Sequence, residues 1–187
     1  MQSLHSLPPV KLHTTCRFVT RGAEKVARVQ VTNPTSQMAF FVQLALTQGR
    51  NGREILPVLW DDNYFSLLPG ETRQVTATFV PKDAGGVNPT LEAGGWNVET
   101  DFDCSGLAVS SREVKPGERV TVTATVANTF LDGSRVFLQV DGKPTDFRWV
   151  WARGDRKQMV AFPLAFDRLG KRTLVVGDKK LELTVRP

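Results

Sequence analysis

The chain has 187 residues, 41% hydrophobic and 23% charged, with 15 glycines and 11 prolines. That composition suits one large or two small globular domains with many turns and excludes a disordered chain, and no apolar run is long enough to cross a bilayer as a helix. The net charge of +5 lies in the second half: residues 1–102 carry 9 Lys+Arg and 9 Asp+Glu, residues 103–187 carry 15 and 10. The bases are interleaved with acids, which favours a solvated surface over an anion-binding block.

Residues 1–9 have neither the basic nor the apolar region of a secretion signal and read as a linker from an upstream domain. Period-2 alternation then dominates, and no helix is expected. Val10, Leu12, Thr14, Cys16 and Phe18 mark a first strand, with Cys16 a buried thiol. Ala27, Val29 and Val31 mark a second, ending at the turn Asn33-Pro34. Phe40, Val42, Leu44 and Leu46 mark a third, with Gln43 and Thr47 facing outward. Turns follow at residues 48–52 and at Pro69-Gly70-Glu71. The next strand turns Val75, Ala77 and Phe79 inward. Residues 83–89 form a loop, and a last strand runs to Trp96-Asn97-Val98.

The pattern restarts after residues 103–106, read as a linker that contains Cys104. Val120, Val122, Ala124 and Val126 alternate. Val136, Leu138 and Val140 follow, closed by the hairpin signal Asp141-Gly142. Val160, Phe162, Leu164 and Phe166 come next; Val176 ends a strand at Gly177-Asp178; Leu181, Leu183 and Val185 finish the chain. The two halves also match each other. Val29–Asn33 corresponds to Ala124–Asn128, and residues 70–75 correspond to residues 154–159. Short strands between Gly/Pro turns, with a pattern used twice, point to two β-sandwiches. Two cysteines are too few for a disulfide scaffold or a zinc cage, and no bridge is expected.

The usual catalytic signatures are absent. Histidine occurs only at His5 and His13, so a Ser-His-Asp or Cys-His arrangement has almost nothing to draw on. There is no nucleophile elbow, no zinc spacing and no phosphate-cradling glycine loop. Asp61-Asp62-Asn63 is the densest acidic spot. An EF-type calcium loop fails there because Phe65 fills a ligand position, so Asp61 and Asn63 are read as local turn hydrogen-bonders. Arg153-Gly154-Asp155 spells an adhesion tripeptide, but the internal match explains the same residues as a turn. Phe147, Trp149 and Trp151 share one face of a strand. They belong to a sandwich core, to a platform for sugar rings, or, with Arg148 and Arg153, to a single-stranded nucleic-acid surface.

One set of segments is more specific: Val29-x-Val31-Thr32-Asn33-Pro34, Ala39-Phe40-Phe41-Val42-x-Leu44, the run from Ile55 to Glu71 with Trp60-Asp61-Asp62-Asn63-Tyr64-Phe65 at its centre, and Gly95-Trp96-Asn97-Val98. Together, over about residues 8–98, they resemble the immunoglobulin-like domain that follows the catalytic barrel in family 2 glycoside hydrolases of the exo-β-glucosaminidase, β-mannosidase and endo-β-mannosidase kinds. The second half is similar, more loosely, to bacterial adhesion-type immunoglobulin-like domains. The resemblance implies an all-β chain of two tandem immunoglobulin-like sandwiches, residues 10–102 and 103–187. It implies a non-catalytic C-terminal accessory module of a bacterial enzyme acting on β-linked mannose or glucosamine. Its partners would be the (β/α)₈ barrel and N-terminal domains of the same polypeptide, and its setting extracellular or periplasmic. No catalytic residue, metal or other cofactor is expected in the chain, nor a nucleic-acid or membrane partner. Trp60, Asp61, Asp62, Asn63 and Tyr64 are the candidates for contact with the barrel. The alternatives are a carbohydrate-binding module using Phe147, Trp149 and Trp151, and a cell-surface adhesion module.

Overall fold

The computed structural model describes residues 7–128, 130, 133–152 and 156–187. The chain divides after Thr100 into two compact units, each an all-β sandwich.

The first unit contains β1 (His13–Arg21), β2 (Glu24–Thr32), β3 (Ala39–Gln48), β4 (Leu59–Trp60), β5 (Phe65–Leu67), β6 (Thr72–Phe79) and β7 (Pro89–Gly94), with one 3₁₀ turn at Pro81–Ala84. One sheet has the order β1-β2-β6-β4 and the other β5-β3-β7. Alternate residues of β2 and β6 point to one side, so Val29, Val31, Val75, Ala77 and Phe79 meet Val42, Leu44, Leu46, Phe65 and Leu67 in one core. Val10 lies outside β1 and pairs in parallel with Val98; Val10 N–H donates to Asn97 O and Glu99 N–H to Val10 O, both at 2.8 Å.

Several expectations for this half need correction. Residues 8 and 9 do not read as free linker, because Asn97 Nδ2 donates to Pro8 O at 2.8 Å. The last strand stops at Gly94, since Trp96 N–H turns back to Phe40 O. Thr47 is fully buried rather than outward, its hydroxyl donating to Gly49 O at 2.9 Å. Cys16 is half-buried against the core, not enclosed. In β3 the pairing jumps from Ala39↔Leu67 to Val42↔Phe65. This bulge breaks the alternation, leaving Phe40 half-buried and Phe41 exposed.

The second unit contains β8 (Phe102–Val109), β9 (Glu113–Val114), β10 (Arg119–Asn128), β11 (Ser134–Val140), β12 (Lys143–Val150), β13 (Gln158–Ala165), β14 (Gly170–Val176) and β15 (Lys179–Val185). Its sheets are β13-β10-β8 and β12-β11-β14-β15-β9, closed on Val122, Val126, Leu138, Phe162, Leu174 and Leu183. Asp141 and Gly142 both have positive φ, as a type I′ hairpin turn requires. Residues 103–106 are not a linker: they lie within β8, and Cys104 is buried there. Both thiols are free, and burial pushes both upward in pKa.

The internal match reappears as topology. β2 pairs antiparallel with β6 as β10 does with β13. The register corrects the alignment by one residue. Val29 faces Val75, but Ala124 faces Val160, and Met159, which the sequence match set against Val75, is 73% exposed.

Candidate functional site

The segment from Leu59 to Tyr64 crosses from one sheet of the first unit to the other. Trp60 pairs with Ala77 of β6 and packs half-buried on the core. Asp61 extends that pairing. Its N–H donates to Thr76 O at 3.0 Å, its Oδ1 accepts from Thr76 N–H at 2.8 Å and its Oδ2 from the Thr76 hydroxyl at 2.7 Å. Asp62 forms an ion pair with Arg73 at 2.9 Å. Asn63 then reaches the other sheet: its Oδ1 accepts from Leu44 N–H at 2.8 Å and its Nδ2 donates to Leu44 O at 2.9 Å. The side-chain amide thus stands in for a peptide group beside β3. These bonds are long-range; of the local bonds expected of Asp61 and Asn63, Asn63 makes one, to the Tyr64 N–H.

The consequence falls on the next residue. Asn63 Oδ1 also accepts from Tyr64 N–H at 3.0 Å, and Tyr64 is held at φ 59°. Phe41, on the β3 bulge, sits at φ 55°. A left-handed backbone costs an aromatic residue of order 1–3 kcal/mol, and here two such residues lie against each other, ring centroids 5.4 Å apart with the planes tilted by 46°. Both are about half exposed, with Leu56, Leu59 and Leu68 exposed further along the same stretch of chain. The surrounding acids are engaged: Glu71 accepts from Leu68 N–H at 2.8 Å and meets Arg73 at 3.3 Å. The Leu68 N–H, followed by Arg73, holds its carboxyl below the usual range. Arg73 also lies 4.7 Å over the Phe65 ring. Among the described residues no three His, Cys, Asp or Glu side chains converge as metal ligands. The surface presents half-exposed aromatic rings beside acids that already have partners.

With that geometry in view, comparison with known proteins is decisive for the first unit. Residues 1–98, just over half of the chain, match the family model of the exo-beta-D-glucosaminidase Ig-fold domain. The chain belongs to that family. It is 40% identical over 62 residues to an exo-beta-D-glucosaminidase of Amycolatopsis orientalis, covering 33% of this chain and 6% of that protein. It is 38% identical over 87 residues to the mannosylglycoprotein endo-beta-mannosidase of Lilium longiflorum, covering 43% and 9%. The crystal structure of the Amycolatopsis orientalis exo-chitosanase superposes with a TM-score of 0.51 at 30% identity, over 53% of this chain and 12% of that one. The chain therefore spans about a tenth or less of the curated relatives it matches.

Outside the Ig-fold domain, the aromatic row of the second unit is not core. Val150 points inward, fully buried, while Phe147 and Trp149 are half-buried on the opposite face and Trp151 is 63% exposed. The Trp149 and Trp151 rings stack 5.7 Å apart at 17°, and Gly133 lacks the Cβ that would collide with Trp151. Arg148 turns inward over Phe162 and pairs with Asp146 at 2.8 Å. The Arg153–Asp155 tripeptide lies outside the described residues.

Four residues to which the sequence assigned no role of their own matter here. Asn33 and Asn97 are fully buried braces: Asn33 Nδ2 donates to Gln37 O and Leu67 O, and Asn97 takes Phe40 N–H while donating to Met38 O. Their signal was an asparagine at each end of the matched segments. Phe41 gave none, because a bulge is invisible to alternation. Arg135, opposite Trp149 on the outer face of β11, is 97% buried (3% exposed). Its guanidinium lies 5.2 Å from the Phe137 ring centre and 4.9 Å from that of Phe147.

Proposed function

We propose that the chain is a non-catalytic accessory module of a secreted family 2 β-glycosidase acting on β-linked glucosamine or mannose. In this reading the Ig-fold domain packs on the catalytic barrel of its own polypeptide through Trp60–Tyr64 and Phe41. The observation that carries it is the tilted Phe41–Tyr64 ring pair, two half-exposed aromatic residues at positive φ, with Tyr64 held by the Asn63 amide. Strain of this kind persists where surrounding structure over-determines it, and a rigid apolar projection suits docking to a preformed surface. The engaged state of Asp61, Asp62 and Glu71 supports a contact role over a reactive one.

Two measurements test this. The 187-residue chain should not hydrolyse aryl β-glucosaminides or β-mannosides; turnover abolished by changing one of its own acids would overturn the reading. The chain should also bind the barrel of a related exo-β-glucosaminidase made without its own Ig-fold domain. Phe41→Gly and Tyr64→Ala should each weaken that binding at least about tenfold, the loss of one buried aromatic anchor. Binding indifferent to both would remove the contact surface from the proposal.

A second reading rests on the near-parallel Trp149–Trp151 stack, which suits the C–H face of a pyranose. Titration with chitosan and mannan, using Trp151→Ala and Trp149→Ala as controls, decides it: binding to either polymer that both substitutions abolish supports it, and failure to bind either removes it. The exposed Leu59, Tyr64 and Phe41 speak against an adhesion role without an enzyme partner, which predicts no apolar patch near Trp60.

A further inference from the structure

The Ig-fold domain carries a second feature, on the outer face of the β1-β2-β6 sheet, which adjoins the Trp60–Tyr64 segment only where Asp61 bonds Thr76. An open depression of about 690 Å³ lies there, lined by Thr15, Arg17, Arg28, Gln30, Gln74 and Thr76 above the backbone of Val29 and Val75. Register makes it a grid. Thr15, Gln30 and Gln74 form one rung; Arg17, Arg28 and Thr76 form the next rung on that face.

Arg17 and Arg28 are direct antiparallel partners, so their Cβ atoms stand about 5 Å apart, a placement in which like charges repel. Among the described residues neither has an acid or hydrogen-bond partner. The carboxylate at the end of this rung, Asp61, already has both oxygens bonded to Thr76. Two cations are thus held side by side on an exposed sheet where either could be neutral at no loss of contact.

We propose that this depression binds an anionic oligosaccharide, one bearing carboxylate or sulfate groups. Paired guanidinium forks match such oxyanions bidentately, and the flanking Gln and Thr side chains supply both donors and acceptors for ring hydroxyls. The lining holds no aromatic ring, which a neutral pyranose or a single-stranded nucleic acid would use for stacking. It also exposes no large apolar anchor of the sort that a protein partner buries at an interface centre.

The test is calorimetric titration of the 187-residue chain with five probes: oligogalacturonate for carboxylate, a chondroitin sulfate oligosaccharide for sulfate, a neutral manno-oligosaccharide, a chitosan oligomer and a single-stranded oligonucleotide. Binding to an anionic probe, weakened by salt, is expected, with little or none to the neutral and cationic ones. Arg17→Gln and Arg28→Gln should each cost about tenfold or more in affinity, the worth of one charge-assisted contact. Arg186→Gln, on the other unit and paired with Glu113, should cost nothing. The thermal midpoint of Arg28→Gln should hold or rise, so that lost binding is not lost folding. No anionic binding at millimolar probe, equal binding of the neutral probe, or anionic binding that survives both substitutions would overturn the proposal. Tighter Arg-dependent binding of a single-stranded oligonucleotide would overturn its ligand class.

Discussion

Arg135→Met should stabilise the second unit. None of the guanidinium nitrogens Nε, Nη1 and Nη2 of Arg135 has a hydrogen-bond partner among the described residues, and burial lowers its pKa well below the usual guanidinium value, to about 10. A shift of that size corresponds to a penalty of about 3 kcal/mol for keeping the charged form folded at neutral pH. The Phe137 and Phe147 rings return part of it, at about 0.5–1 kcal/mol each. The net cost is then roughly 1–2 kcal/mol, which a methionine of similar length escapes while keeping the apolar contacts. For an 87-residue unit, residues 101–187, each kcal/mol moves the melting midpoint by about 4–8 °C. Urea unfolding followed through the methyl resonances of Leu174 and Leu183 would isolate this unit from the other. The pH dependence gives a second check. Above about pH 10 the folded state sheds a proton that the unfolded state still retains, so the native protein gains stability as pH rises there and the variant does not. Their difference, full at pH 7, should shrink above pH 10. A variant less stable than the native protein, or a difference that does not change with pH, would refute the argument and show that the ring contacts outweigh desolvation.

Asn63→Ala strips partners from both the N–H and the C=O of Leu44 and should destabilise the first unit by about 2–4 kcal/mol, read as a lowered urea midpoint; Asn63→Asp, which keeps the acceptor, should lose less. Gly95→Ala places a Cβ 2.8 Å from Val98 Cγ2 and 3.0 Å from Phe41 O, an overpacking expected to cost about 1–3 kcal/mol by thermal melting. Glu71 has its folded pKa lowered from 4.5, so its contribution is present above the unfolded value and lost as pH falls through the folded one. Glu71→Gln should therefore flatten the acid limb of the stability profile below pH 4.5, and direct titration by carboxyl NMR should place Glu71 below the model-peptide range.

Where alternation met a regular ladder, the sequence was a sufficient guide: the inward sets of β2, β6 and β10 follow from period 2, and Asp141-Gly142 named its own turn. Reading failed where the backbone left that period. A bulge at Phe40-Phe41 inserts one residue, so that Ala39 rather than Phe40 faces the core while Val42, Leu44 and Leu46 keep the expected side, and no residue type announces it. Cys104 looked like linker because Asp103, Ser105 and Gly106 are turn-formers, yet β8 runs through them as the counterpart of β1. Asp61 and Asn63 were expected to bond locally because short polar side chains usually do. Their partners Thr76 and Leu44 are 15 and 19 residues away, and only tertiary structure brings them near. Arg135 was unreadable for a related reason: a basic residue in a strand is expected in solvent, and its burial depends on which rings flank it across the sheet.

The parallel pairing of Val10 with Val98 bears on how the Ig-fold domain would respond to load. The domain begins near one of these residues and ends near the other, so tension along the polypeptide pulls them in opposite directions. The two backbone bonds there, and the Asn97 amide on Pro8, then lie along the line of force and must fail together rather than unzip in sequence. A module fastened in this way can sit between moving neighbours in a long polypeptide and stay folded while they shift.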